Sequence, residues 1–349
     1  MTAVLLVVFY HFFVHFSFIP FWNAVILNGG QLGVNIFYAI SGLLISYPFV
    51  KNSLQENPKP NSIRHYIFNR CFRILPLFWI VTLTVFIFKD HIRLYHLAPF
   101  DISIKDLMLY LFFLSDKLDP LNPVVWTLRI EVLFYILFPV LFALSKPRHK
   151  QFSKFAYPIF AIIVLSFFAY RFNYVRLYGP LLYSNLISNL ELFFLGVTAS
   201  FVLLNDNKKL FKLPFPIVLP IIVLLILLKL NETVYANVDV YFPFFRSLSN
   251  ICIFLLLIGM MRGNVSSRYQ TIVKPVTFIS LISYSLYLLH FNIYYSVALP
   301  VLQRAFHSEN VNLFAWEILA LIIAITLSYI TYRLIERPFL SFKNKLFAK

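Results

Sequence analysis

Long apolar runs separated by short polar segments, many carrying lysine or arginine, organise this chain. A helix needs about 20 residues to cross a hydrocarbon core about 30 Å thick. Runs of that order predict ten spans, at about 1–18, 30–50, 74–88, 124–144, 155–172, 184–204, 215–230, 244–261, 276–295 and 313–334. The third and seventh are short. Residues 107–115 are apolar but too few to span, which predicts an interfacial or re-entrant segment. No Gly- or Ser-rich linker and no internal repeat divides the chain. Residues 1–349 therefore read as one all-α integral membrane domain.

The charges orient these spans. With the N-terminus cytoplasmic, twenty of the thirty Lys and Arg fall on cytoplasmic segments. Nine are counted with the opposite loops, Arg171 and Arg246 among them although they sit just inside the ends of the fifth and eighth spans, and Arg129 lies inside the fourth span. This bias predicts both termini inside and an even number of helices.

Composition agrees: 60% of residues are hydrophobic and only 13% charged, with a mean hydropathy of +0.79. A soluble domain carries about 25% charged residues, so there is too little polar surface here to cover a soluble core. The net charge of +16 forms no basic domain or basic-aromatic groove, which excludes nucleic acid as a partner. Cys71 and Cys252 make no disulfide framework. No basic segment precedes the first apolar run, so no cleavable signal peptide is expected.

Ionisable groups inside a membrane are costly, and each marks a candidate site. Here they are His11 and His15 in the first span, Arg129 and Glu131 in the fourth, Glu191 in the sixth and His290 in the ninth. Counting at 1.5 Å per residue, Glu131, Glu191 and His290 fall at one level, in the outer half of the membrane. His11 and Glu131 have the chemistry of a general base and its orienting carboxylate, the pair that activates a hydroxyl. A histidine in a helix bundle can equally just bond a backbone carbonyl. His11 and His15 stand four apart, but no third ligand accompanies them, so no metal is expected. On the cytoplasmic side, Arg70 and Arg73 share a helix face just before Ile74–Leu75–Pro76. Two guanidinium forks there suit a pyrophosphate or phosphorylated ribose; spacing alone favours anchoring to anionic lipid.

Around these residues the chain resembles the acyltransferase 3 family of polytopic membrane proteins, over nearly its whole length. Residues 3–11 (AVLLVVFYH) look like the family's first helix with its histidine, and residues 33–45 (GVNIFYAISGLLI) like its second-helix signature. Residues 69–79 (NRCFRILPLFW) resemble its paired-arginine motif, and residues 126–135 (WTLRIEVLFY) its tryptophan–glutamate segment. Residues 282–290 (ISYSLYLLH) and 335–338 (IERP) resemble its last two signatures. Six weak motifs in the right order make a specific match. Tyr38 and Leu43 stand where the family often has phenylalanine. The family's first motif also carries an arginine eleven residues before its histidine; counted back from His11, that place falls just before Met1. The first helix is therefore expected to be truncated at its start, with the arginine encoded upstream.

The resemblance implies His11 as catalytic base, Glu131 as an active-site carboxylate, and Arg70 and Arg73 as ligands of a cytoplasmic acyl-CoA, most simply acetyl-CoA. Ser41, Gly42, Trp126, Tyr284 and His290 would shape the site, the first two through close helix packing. The implied reaction is O-acylation of a cell-surface or lipid-linked carbohydrate, or another hydroxyl acceptor, by a multi-pass protein of a bacterial cytoplasmic membrane in contact with its lipid. These 349 residues hold no hydrolase-like segment, so a separate extracytoplasmic or glycan-assembly partner is expected for any hand-off beyond the membrane. Two rivals stand beside this reading: a transporter using the buried His and Glu residues for proton coupling, and a degenerate family member that binds without catalysing.

Overall fold

In a computed structural model, residues 2–13, 20–55, 63–88, 102–115, 121–145, 156–178, 186–204, 220–221, 223–224, 238–262, 270–298 and 313–347 are described. Among them every regular element is helical. In chain order these are α1 (Thr2–Phe13), α2 (Pro20–Ser53), α3 (Ile63–Ile87), α4 (Ile104–Leu111), α5 (Val125–Ser145) and α6 (Ala156–Tyr178). They continue with α7 (Leu186–Leu204), α8 (Val238–Arg262), α9 (Gln270–Leu281), α10 (Ser283–Ile293), α11 (Leu313–Thr331) and α12 (Arg337–Phe347). Six helices are long and apolar enough to cross a membrane, and α9 with α10 makes a seventh if that bent pair is one span. The shorter α1 and α6 are apolar too. Most of the expected seventh span, and His15, lie outside the described residues.

Three expectations are corrected. The third span starts at Ile63, so Arg64, Arg70 and Arg73 lie on the helix itself and not in a loop before it. The ninth is broken at Ile282, where α9 and α10 meet at 68°. Arg171 and Arg246, counted above as loop residues, lie inside α6 and α8 and are buried. Apolar windows end where charge begins, whereas helices continue wherever their backbone bonds are kept and the charges find partners. Residues 107–115, by contrast, form the short helix α4 and the turn after it. Ser103 caps α4, its hydroxyl accepting from the Asp106 amide at 3.1 Å. Phe113 ends it with a positive φ of 60°, and the Leu114 amide returns to the Leu109 carbonyl at 2.8 Å.

The chain groups into two compact units, the first Met1–His15, Ser62–Val132 and Arg268–Lys349, the second Phe16–Asn61 and Leu133–Ser267. In the first, Val4, Val8 and Phe12 form one stripe of α1, four residues apart. The stripe packs with Leu286, Ile293 and Tyr294 from α10 and its extension, and with the small Ala320 and Ala324 of α11. Nearby, Phe78 of α3 stacks on Phe113 at 4.6 Å, and the Trp79 indole N–H donates to the Leu111 carbonyl at 3.1 Å.

In the second unit, α2 and α7 approach most closely. A Cβ placed on Gly42 would lie 2.2 Å from the Phe193 carbonyl oxygen, and one on Gly196 would lie 2.2 Å from that of Ala39. The Ser46 hydroxyl donates to the Gly42 carbonyl at 2.7 Å and lies 3.0 Å from the Ser200 hydroxyl. Only backbones without side chains between them can come this near.

Candidate active site

The first unit brings two of the sequence candidates into contact. His290 Nε2 lies 3.1 Å from His11 Nδ1. His290 Nδ1 faces the carbonyl oxygens of Tyr287 at 2.7 Å and Leu286 at 3.1 Å. A carbonyl can only accept, so Nδ1 of His290 carries the proton and its Nε2, in the neutral ring, holds a lone pair. His11 Nδ1 therefore meets two acceptors, that lone pair and the Val7 carbonyl at 2.9 Å. It too carries a proton. The tautomers follow from the partners, and they leave His11 Nε2 with a lone pair available to take a proton.

Rings confine the pair. Tyr10 and Phe291 meet the His11 ring edge-on at centroid distances of 4.9 and 5.3 Å. His290 is fully buried, while His11 is only partly so. His11 can be reached; His290 cannot.

Glu131, 4% exposed, belongs to a tyrosine-lined layer of the same unit. Its charge acts on the phenols of Tyr66, Tyr284 and Tyr287. Tyr287 pairs with the Thr127 hydroxyl at 2.6 Å. Asn122 donates from Nδ2 to the Leu288 carbonyl at 2.9 Å, tying the start of α5 to α10. Between Asn122 and Glu131, Trp126 is half-buried in the first turn of α5, and Arg129 donates to the Ser115 carbonyl at 3.1 Å.

A third layer holds the arginines. Arg70 is half-buried, its guanidinium carbon 5.8 Å from the Tyr66 ring centre. Arg73 is exposed, and its charge acts on Tyr284 and Glu336. The Tyr284 hydroxyl donates to the Ile74 carbonyl at 2.8 Å, and the Ser285 hydroxyl donates to Glu336. One face of α10 thus carries a polar ladder: Tyr284 beside the arginines, Tyr287 near Glu131, and His290 on His11. From Tyr284 to His290 it rises roughly 9 Å.

Ser41 and Gly42 are buried in the second unit, at the close crossing with α7. Sequence reading assigned no role to Tyr287, Thr127, Glu336 or Glu317, the last accepting from the Tyr294 hydroxyl at 2.7 Å. Tyr287 and Tyr294 stand three before and four after His290, a same-face spacing that could have flagged them. Nothing in the sequence paired Glu317 or Glu336 with its partner. Among the described residues no group of three or more His, Cys, Asp or Glu could hold a metal.

The chain matches the Acyl_transf_3 family model, described as an acyltransferase domain, over residues 1–333. Proteins of Staphylococcus aureus strains COL and N315, named provisionally as O-acetyltransferases, are each 26% identical over 338 residues. Those matches cover 90% of this chain and 53% of the relative. A provisionally named acetyltransferase of Acidianus two-tailed virus is 30% identical over 130 residues, 35% of this chain and 34% of its own. The chain thus spans about half the length of the staphylococcal relatives. No solved structure matches it.

Proposed function

This chain belongs to the acyltransferase 3 family, and from that premise we propose that it is a membrane O-acyltransferase moving an acyl group from cytoplasmic acyl-CoA to a hydroxyl of a cell-surface or lipid-linked carbohydrate. The reading rests above all on one observation, the hydrogen bond from His11 Nδ1 to His290 Nε2, which leaves His11 Nε2 as a base. The acceptor hydroxyl gives its proton to that nitrogen, and its oxygen bonds to the acyl carbon. The carbon–sulfur bond breaks, and the proton passes from His11 to the departing thiolate. His290 accepts from His11 throughout and so stabilises the imidazolium that forms between the two transfers.

The donor supplies an activated thioester, acetyl in the simplest case. Its phosphates fit Arg70 and Arg73, two guanidinium groups one turn apart on α3 at the foot of the ladder. Glu131 and its tyrosines line the way from there to the histidines. Trp126 and Tyr284 shape that passage, while Ser41 and Gly42 set the close packing of α2. In the proposed topology ten helices cross the bacterial cytoplasmic membrane and both termini are cytoplasmic.

The test is the ester content of envelope glycans, by mass spectrometry, in wild type, a deletion strain, and the deletion complemented by wild-type or His11→Ala genes at matched membrane levels. Esters should vanish on deletion and return only with wild type, His11→Ala losing at least about a hundredfold of activity. Esters unchanged by deletion would remove this acceptor class, and full rescue by His11→Ala would remove the catalytic assignment.

A further inference from the structure

Two helix ends of the first unit are longer than a membrane requires. The run Ala315–Lys343, which carries α11 on into α12, holds 29 residues, and α3 holds 25. At 1.5 Å per residue they measure about 43 and about 37 Å, against a hydrocarbon core about 30 Å thick. Phe342 of α12 meets Phe72 of α3 at a centroid distance of 6.2 Å, so the last helix ends beside the beginning of α3.

Both ends are cationic. Residues 63–73 carry Arg64, Arg70 and Arg73 and no acid. Residues 332–347 carry Arg333, Arg337, Lys343 and Lys345 against one acid, Glu336, which is buried and accepts from Ser285. On α12, Arg337, Ser341 and Lys345 recur every four residues as one exposed stripe. Beside that stripe stand Phe339 and Phe342, 40% and 54% exposed. On α3 the exposed Arg64 holds its guanidinium carbon 5.7 Å from the Phe68 ring centre. Phe68 in turn stacks on Phe72 at 6.1 Å, so a row of rings runs from Arg64 to Phe342.

Exposed rings interleaved with cations match the boundary where acyl chains give way to headgroups. A soluble phosphate would engage the cations and leave the rings in water. A zwitterionic lipid would cover the rings but leave the excess positive charge unanswered. We infer that the start of α3 and α12 together form a docking surface for anionic phospholipid. Phe339 and Phe342 lie among the upper acyl chains, and Arg64, Arg337 and Lys345 meet the headgroup phosphates. The surface uses neither the histidines nor Arg70 and Arg73, so it stands whether or not the proposed transfer does.

The experiment uses the full chain in phosphatidylcholine nanodiscs doped with one of two photoreactive lipids. Both carry a diazirine high on one acyl chain; one is a phosphatidylglycerol, the other a phosphatidylcholine. Peptide mapping by mass spectrometry should find α12 and the first turns of α3 labelled about tenfold more by the phosphatidylglycerol probe. That preference should fall in about 1 M salt, where charges are screened within about 3 Å. The triple variant Arg64→Gln, Arg337→Gln, Lys345→Gln should lose the preference yet still be labelled through its exposed rings. Equal labelling of the wild-type helices by both probes would reduce the surface to ordinary lipid contact and overturn the inference. Full competition by excess glycerol phosphate would overturn it in favour of a soluble ligand, and labelling by neither probe in favour of a protein partner. The comparison of probes needs no variant, so it decides the question even if the triple variant fails to fold.

Discussion

At the scale of single residues, the histidine pair carries the most chemical information. Neutral imidazole works as a base only when the lone pair lies on the nitrogen facing its substrate. In this chain two backbone carbonyls set the His290 tautomer, which sets that of His11. In the proposed reaction His290 is thus a positioning residue, and its removal should act on turnover and not on binding. His290→Ala should lower kcat by about a hundredfold or more, with the KM for acetyl-CoA unchanged in reconstituted enzyme. His290→Gln can accept the same proton through Oε1 and should recover part of the loss. A raised KM with unchanged kcat in His290→Ala would reject this role. Arg73→Ala should do the reverse, raising the acetyl-CoA KM about tenfold while leaving kcat largely intact. The candidacy of His11 and His290 was legible because ionisable residues in apolar runs stand out; their contact spans 279 positions of sequence, and no local pattern reports that.

Among the helices, the tightest relation is that between α2 and α7. Replacing a helical glycine by alanine ordinarily favours the helix by about 1 kcal/mol. At Gly42 and Gly196 the added carbon would meet backbone atoms at 2.2 Å, and backbone cannot swing aside as a side chain can. Overpacking costs of about 1–3 kcal/mol should therefore outweigh the propensity gain. Both Gly42→Ala and Gly196→Ala should lower the melting temperature in detergent; a raised one would reverse the argument. The sequence marked Gly42 through its neighbour Ser41 and the family signature, but Gly196 sits in an ordinary apolar run. Its significance appears only opposite Ala39. The break at Ile282 was equally hidden, because residues 276–295 read as one continuous apolar stretch.

At the scale of the whole molecule, the burial of Arg171 and Arg246 changes the charge count. With both buried, seven of the nine Lys and Arg assigned to the opposite side are left to set against the twenty assigned to the cytoplasm. The proposed topology has a direct consequence for labelling in a chain whose Cys71 and Cys252 are replaced by alanine. Cysteines at the exposed positions Lys51 and Lys345 should react with an impermeant maleimide only after the cells are opened. A cysteine at the exposed Lys105 should react in intact cells. Labelling of Lys51→Cys in intact cells would invert the orientation, and labelling of Lys51→Cys and Lys345→Cys from different sides would require an odd number of spans.

Several properties follow from the sequence alone. Apolar run length dictates helices, since nothing else satisfies backbone hydrogen bonds in lipid. The scarcity of charge dictates the membrane, and the six ordered motifs indicate the family. These signals are local or cumulative, so they survive without coordinates. The tertiary structure decided which buried groups meet: His290 with His11, Tyr284 with the Ile74 carbonyl beside Arg73, Glu191 with Arg171. The first two of these contacts join helices distant in sequence and the third joins neighbouring ones, and apolar side chains of similar size leave the choice of helix neighbours open. Packing makes that choice, and with it the tautomer of His11 and the partners of the buried charges.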